Sequence, residues 1–99
     1  MRLYRVVLSP EAKGDLLDIY DWVADRASPA VALAYVERIE AHLQGFEHGA
    51  ERGHRRDDLR PGLRVAGFER RVTIAFTVEG DRATILRLAY GGRDLEGLI

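Results

Sequence analysis

Arginine is the residue type in this sequence whose number and placement could support the binding of an anionic group. Residues 51–99 contain ten basic side chains, all of them arginine, against eight acidic ones, whereas residues 1–50 contain five basic and eight acidic side chains. The planar guanidinium group forms paired hydrogen bonds with carboxylates and phosphates, so this half of the chain could recognise an anionic group on a partner. An arginine-rich genome would give the same excess, and we keep both explanations open.

Four of these arginines are candidates because of where they lie: Arg64, Arg71, Arg87 and Arg93. The first three fall in short segments of alternating character, and alternation in a strand sends successive side chains to opposite faces. We therefore predict one face with the apolar residues Leu63, Val65, Val72, Ile74, Phe76, Val78, Leu86 and Leu88, and another with Arg64, Arg71, Thr73 and Arg87. The alternative is a structural role, with Arg64 paired to Asp57 or Asp58 and Arg93 paired to Asp94.

Two aromatic residues are further candidates. Trp22 falls on the acidic side of a predicted helix, where it could anchor a partner protein or lie against a neighbouring loop. Tyr90 ends the last predicted strand; its phenol has an ordinary pKa near 10, so proton transfer near neutrality would need strongly basic neighbours, and we favour a half-buried scaffold role. The three histidines, His42, His48 and His54, have no helical ligand spacing and no cysteine near them, so we predict no metal site and no cofactor.

The order of elements follows from caps and periodicity. Ser9-Pro10 and Ser28-Pro29 each predict a helix start, and both helices are amphipathic, with Asp15, Asp18, Asp21 and Asp25 on what we predict to be a solvated face of the first. Strands are predicted at 2–8, 63–68, 71–78 and 82–90, with Glu69-Arg70 as a turn and 51–61 as a charged connector. The predicted fold class is α+β with order β-α-α-β-β-β, an antiparallel sheet packed on an N-terminal helical hairpin, in a single domain spanning 1–99.

Composition excludes several classes of protein. The chain is 46% hydrophobic and 31% charged with a net charge of −1, unlike a disordered tail, a membrane span or a strongly basic nucleic-acid binder. It has no cysteine, hence no disulfide framework, and its first residues lack the apolar run of a signal peptide. We expect a soluble cytoplasmic protein.

Three stretches resemble the ParE branch of the RelE/ParE toxin superfamily. They are Tyr4…Leu8-Ser9-Pro10…Ala12…Asp15-Leu16…Ile19-Tyr20, then Arg56-Asp57-Asp58-Leu59-Arg60-Pro61-Gly62-Leu63-Arg64, and finally Ile85-Leu86-Arg87-Leu88…Gly91-Gly92-Arg93-Asp94. The resemblance implies a toxin of a type II toxin–antitoxin system, with a ParD-like antitoxin as partner in a heterotetramer or larger complex. It also implies contact with operator DNA only through the antitoxin, and no membrane contact.

The resemblance leaves two activities open. ParE members poison DNA gyrase by binding it, whereas RelE members cut messenger RNA on the ribosome by acid–base catalysis. Some of the side chains that RelE members use for this catalysis are missing from this chain. Aligned on the last strand, Arg93 matches a RelE basic residue, but the catalytic tyrosine position falls on Ile99 and a strand arginine falls near Thr73. We therefore expect gyrase inhibition and no catalytic residue; the alternatives are a ribosome-dependent RNase and an inactive toxin retained for complex formation.

The resemblance also suggests roles for the candidate residues. Arg64, Arg71, Arg87, Arg93 and Trp22 are candidates for contact with the antitoxin. Tyr90 and Arg93 are candidates for contact with the target. Acidic antitoxin segments would suit an arginine-bearing sheet, because opposite charges across an interface speed association and set its register.

Overall fold

The computed structural model describes residues 3–91 and 93–99. Arg2, where we expected the first strand to begin, and Gly92 of the C-terminal motif lie outside these residues. The strands are β1 (Arg5–Leu8), β2 (His54–Arg55), β3 (Leu63–Phe68), β4 (Val72–Glu79) and β5 (Arg82–Tyr90). The helices are α1 (Pro10–Arg26), α2 (Pro29–Gln44) and a short C-terminal α3 (Leu95–Leu98), with a 3₁₀ turn at Gly45–His48. No described helix is long and apolar enough to cross a bilayer.

Both helix starts form as the sequence predicts. The Ser9 side chain accepts from the backbone N–H of Ala12 at 3.0 Å, and the Ser28 side chain accepts from that of Val31 at 3.1 Å. Proline at the first helical position costs no hydrogen bond, since its missing N–H would have had no partner there. The two helices then lie side by side against the sheet and supply half of the core.

The sheet confirms the α+β class and adds detail that the sequence did not reveal. Its strand order is β1-β5-β4-β3-β2, with β2 formed inside the predicted charged connector. All pairs are antiparallel except the one between β1 and β5, which is parallel, so the sheet is mixed and not antiparallel throughout. The parallel pair is possible because the two helices carry the chain a long way before β5 returns beside β1.

The predicted faces of β3 are wrong. Leu63 pairs with Thr77 and Val65 with Ala75, so both lie on the side away from Ile74 and Phe76, while Ala66 and Phe68 face the helices. Arg64 pairs with Phe76 and so lies on the helix side, Arg71 lies in the turn before β4, and Arg87 lies on the far side with Ala75. These three arginines therefore do not share a face, because register sets which alternating set turns inward.

An irregularity in β5 sets the positions of its last residues. The pairing with β4 shifts between Ala75 and Phe76, which leaves Leu86 as the extra residue of a β-bulge. The Ser9 hydroxyl donates to the carbonyl oxygen of Leu86 at 2.8 Å, so the residue that begins α1 also fixes the bulge. Beyond the bulge, Leu88 and Tyr90 face the helices, whereas Arg87 lies on the Ala75 side of the sheet, from which its guanidinium still reaches Asp15 of α1.

Candidate functional site

A cleft lies where α1 passes the end of β5. It has a volume of about 390 Å³. The α1 side supplies Asp18, Ile19 and Trp22, and the segment that follows β5 supplies Tyr90, Gly91 and Arg93. The cleft therefore brings together three of the residues singled out from the sequence, one of which comes from a helix nearly seventy positions away from the other two.

The wall of the cleft is aromatic. The ring centroids of Trp22 and Tyr90 are 4.9 Å apart and their planes are tilted by 59°, and Tyr90 meets Tyr35 edge-on at 5.8 Å. The guanidinium carbon of Arg26 lies 3.9 Å from the centroid of Trp22, a cation–π contact. Trp22 nevertheless remains 42% exposed, so it packs against a strand end as well as facing solvent.

Tyr35 forms the inner end of this aromatic group. Its side chain is buried, and among the described atoms its hydroxyl has no hydrogen-bond partner. Burial, followed by the neighbouring Tyr90 and Glu69, raises the pKa of the Tyr35 phenol, so the group stays neutral at all physiological pH values. Arg38 and Glu69, which form a bidentate ion pair at 3.0 Å, connect α2 to the β3–β4 turn beside it.

Arg71 and Arg93 border the same end of the sheet. The backbone N–H of Gly91 donates to the carbonyl oxygen of Arg71 at 2.8 Å, which places the β3–β4 turn beside the cleft wall. Both arginines are exposed, and within residues 3–91 and 93–99 neither side chain forms a hydrogen bond or ion pair. The expected Arg93–Asp94 pair does not form, because Asp94 accepts instead from the backbone N–H of Glu96 and begins α3.

Arg87 has a structural position that the sequence did not reveal. Its Nε and Nη2 donate to the two carboxylate oxygens of Asp15, both at 2.9 Å, and its Nη1 donates to the carbonyl oxygen of Leu98 at 3.2 Å. The Asp15 carboxylate also accepts from the backbone N–H of Leu88 at 2.8 Å. Burial, which opposes charge, is outweighed by the bond to Asp15, and the pKa of Arg87 is raised above its ordinary value.

The expectation that Asp15 lies on a solvated face is therefore wrong: it is only 2% exposed. At 100° per residue, Asp15 lies about 40° from Ile19 on the helix surface, at the edge of the apolar arc, whereas Asp21 lies on the far side. That angle was the signal available in the sequence. The expected acidic row thus contains one buried member, and the other three, Asp18, Asp21 and Asp25, are exposed as predicted.

Arg64 lies away from the cleft. It donates to the carbonyl oxygen of Arg52 at 3.3 Å and lines a separate hollow with Arg55 and Val78. The expected pairs of Arg64 with Asp57 or Asp58 do not form, because those carboxylates pair with Arg55 and Arg56. Arg56 also reaches Glu96 of α3 at 3.5 Å, a second attachment of the C-terminal segment.

A larger apolar groove runs along the outer side of the helical hairpin. Its volume is about 620 Å³. Leu17 and Leu33 are 69% and 54% exposed there, with a charged residue at each side. Its lining residues are Leu8, Lys13, Leu16, Leu17, Tyr20, Leu33, Val36 and Glu40. The groove and the cleft lie on opposite sides of α1, since Lys13, Leu17 and Tyr20 point away from the arc that holds Asp18 and Trp22.

The described part of the chain offers no cluster of three or more metal-ligating side chains. The ring centroid of His42 lies 5.8 Å from that of Phe46 and 4.8 Å from that of Phe68, so His42 packs with aromatic residues at the edge of the core. Burial and the nearby Arg52 lower its pKa, which leaves the imidazole neutral at pH 7.

Comparison with known proteins places the chain in a family. The family model described as the ParE toxin of type II toxin–antitoxin systems, parDE, matches residues 6–95. The chain is 30% identical over 91 residues to Toxin ParE3 of Caulobacter vibrioides, covering 92% of this chain and 90% of that protein. It is also similar to a chain in a solved structure of a chromosomal ParDE toxin–antitoxin system from P. aeruginosa, with a TM-score of 0.78 and 28% identity over 90% of this chain and 97% of that one. The chain thus belongs to the ParE toxin family of type II toxin–antitoxin systems.

Proposed function

We propose that this toxin acts in the cytoplasm by binding DNA gyrase, and that a ParD-like antitoxin neutralises it. The observation that carries this proposal is the match of residues 6–95 to the ParE family model. A toxin of this kind would hold gyrase in its DNA-cleaved state, so that an essential enzyme becomes a source of DNA breaks. No covalent step on the toxin is needed for such an effect.

The proposed antitoxin partner has surfaces to bind. The hairpin groove is apolar over the length of about two helical turns, which suits an amphipathic helix laid into it. Arg71 and Arg93 are exposed and without ion pairs in the described residues, so they suit acidic antitoxin segments. Arg87 is unsuited to direct contact, because Asp15 and Leu98 already occupy its donors. Trp22 and Arg64 remain candidates for the rim of that interface.

The experiment is a supercoiling assay with purified gyrase and purified full-length protein. We expect inhibition that depends on the concentration of the protein, together with linear DNA after denaturation of the trapped complex. Addition of the antitoxin encoded beside the toxin gene should restore supercoiling. Full supercoiling activity at a large molar excess of the protein would contradict the proposed target.

A ribosome-dependent RNase is the second candidate, and one observation favours it. The cleft contains a carboxylate, a phenol and a guanidinium from Asp18, Tyr90 and Arg93, which are the group types that RNA cleavage uses. Cleavage of ribosome-bound messenger RNA by the wild-type protein, lost in Asp18→Asn and Tyr90→Phe, would establish this activity. A protein that neither inhibits gyrase nor cuts RNA, and does not slow growth without its antitoxin, would be an inactive toxin retained for complex formation.

A further inference from the structure

We propose that the cleft between Trp22, Tyr90 and Arg93 binds the target protein. The bound part of the target would be a segment with a large apolar side chain next to a carboxylate. This inference rests on the proposed function, since it assigns the surface used against gyrase. It extends that function by naming both the site and the chemistry of the segment that binds it.

The first support is the composition of the cleft. Tryptophan, tyrosine and arginine are the residue types that contribute most to binding free energy at protein interfaces. Here all three line one concave site of about 390 Å³, a volume sufficient for a single large side chain. Ile19, which is buried, extends the apolar surface inward from Trp22.

The second support is that the aromatic wall is already rigid. Tyr90 is held between Trp22 and Tyr35, at 4.9 and 5.8 Å between ring centroids. Tyr35 is itself buried, and its backbone lies in the middle of α2. A partner side chain that enters the cleft therefore meets rings that are fixed beforehand, so less conformational entropy is lost on binding.

The third support is the charge at the rim. Arg93 lines the cleft, Arg26 stacks on Trp22 of its wall, and the Arg71 carbonyl accepts from the backbone N–H of Gly91 in its lining; none of the three forms an ion pair within the described residues. One carboxylate, that of Asp18, also lines the cleft, against three guanidinium groups in or beside it. This end of the protein is therefore cationic, and the guanidinium groups of Arg71 and Arg93, which have no ion-pair partner within the described residues, favour a carboxylate on the bound segment.

A nucleic-acid occupant is the less suitable alternative. The floor of the cleft is apolar and aromatic, a lining that suits a single hydrophobic side chain. The chain as a whole carries a net charge of −1, so it lacks the strong positive field that draws nucleic acids to proteins. A protein segment satisfies both the apolar floor and the cationic rim.

The test compares charge reversal at two ends of the same sheet. In the Arg71→Glu/Arg93→Glu double variant we expect the concentration for half-inhibition of gyrase to rise at least tenfold, because both partners of the carboxylate become repulsive. Arg82→Glu is the matched control: Arg82 is exposed at the start of β5, about 26 Å from Tyr90 by strand rise, and we expect less than a twofold change. All variants must keep the wild-type melting temperature within a few degrees.

A second variant probes the apolar part of the cleft. Trp22→Ala should also raise the half-inhibition concentration about tenfold or more, while Trp22→Phe, which keeps a ring against Tyr90, should restore most of the inhibition. Direct binding to gyrase without DNA should follow the same order. Inhibition by the wild-type protein that is unchanged in the double variant and in Trp22→Ala would overturn the assignment of the cleft and leave the gyrase proposal standing. Loss that appears only when DNA is present would overturn the assignment to a protein segment.

Discussion

Replacement of Asp15 by alanine should destabilise the protein far more than any other acidic substitution in α1. The Asp15 carboxylate accepts three hydrogen bonds, two from Arg87 at 2.9 Å and one from the buried Leu88 N–H at 2.8 Å. Truncation leaves the buried amide of Leu88 and the mostly buried guanidinium of Arg87 without their carboxylate partner. The loss of folding free energy comes more from leaving these donors unpaired than from losing the attraction itself.

The magnitude follows from the burial of each partner. Removal of one member of a buried ion pair costs about 3–5 kcal/mol, and we expect the lower end here, about 3 kcal/mol, because the Arg87 side chain is still 21% exposed and can be partly rehydrated. A domain of this size is stable by roughly 5–15 kcal/mol, so the loss would be about a fifth to three fifths of the total. The melting temperature should fall by about 12–24 °C.

The assay is urea unfolding followed by far-ultraviolet circular dichroism, with Asp21→Ala as the matched control. Asp21 lies on the same helix and is exposed, so its loss should change the free energy of unfolding by less than about 0.5 kcal/mol. Asp15→Asn, which keeps an acceptor for Leu88 but loses the charge, should fall between the two. If Asp15→Ala and Asp21→Ala unfold at the same urea concentration, the argument from the buried ion pair is refuted.

Two further predictions concern the serine caps of α1 and α2 and the histidine His42. Ser9→Ala should lower the free energy of unfolding by roughly 2 kcal/mol and Ser28→Ala by roughly 1 kcal/mol, both measured by urea unfolding. Both hydroxyls cap a helix, but only that of Ser9 also donates to Leu86 in the bulge. Equal losses would contradict this second role of Ser9. Burial and then Arg52 lower the folded pKa of His42, so below the ordinary histidine pKa of about 6.5 the unfolded chain binds more protons. The stability from His42 is therefore fully present above that pH and declines as the pH falls below it, and His42→Phe should flatten this slope in the free energy of unfolding measured at each pH.

The parts of the fold that the sequence predicted correctly are those that neighbouring residues decide. Ser9-Pro10 and Ser28-Pro29 mark helix starts because capping involves residues within one turn. The turn at Glu69-Arg70 formed as predicted, with both residues at positive φ, 49° and 61°, as tight hairpins require.

The parts that the sequence missed depend on distant partners. The face of β3 depends on its register with β4, and a shift of one position exchanges inside and outside. Asp15 becomes buried only because Arg87 and Leu88, more than seventy positions away, bring three donors to it. In the candidate site, Trp22, Tyr90 and Arg93 could each be chosen from the sequence by residue type, but that they line one cleft is a fact of the assembled sheet.

The position of β5 within the sheet affects when the fold can be completed during synthesis of the chain. β5 follows the other strands in the sequence but lies between β1 and β4, so β1 has no strand to pair with until β5 has been synthesised. The bond between Ser9 and Leu86 spans 77 positions, and such remote closures form late. A chain that has not yet reached Arg93 therefore lacks one wall of the cleft, and the surface that we propose to bind the target cannot exist until residues 90–93 have been synthesised.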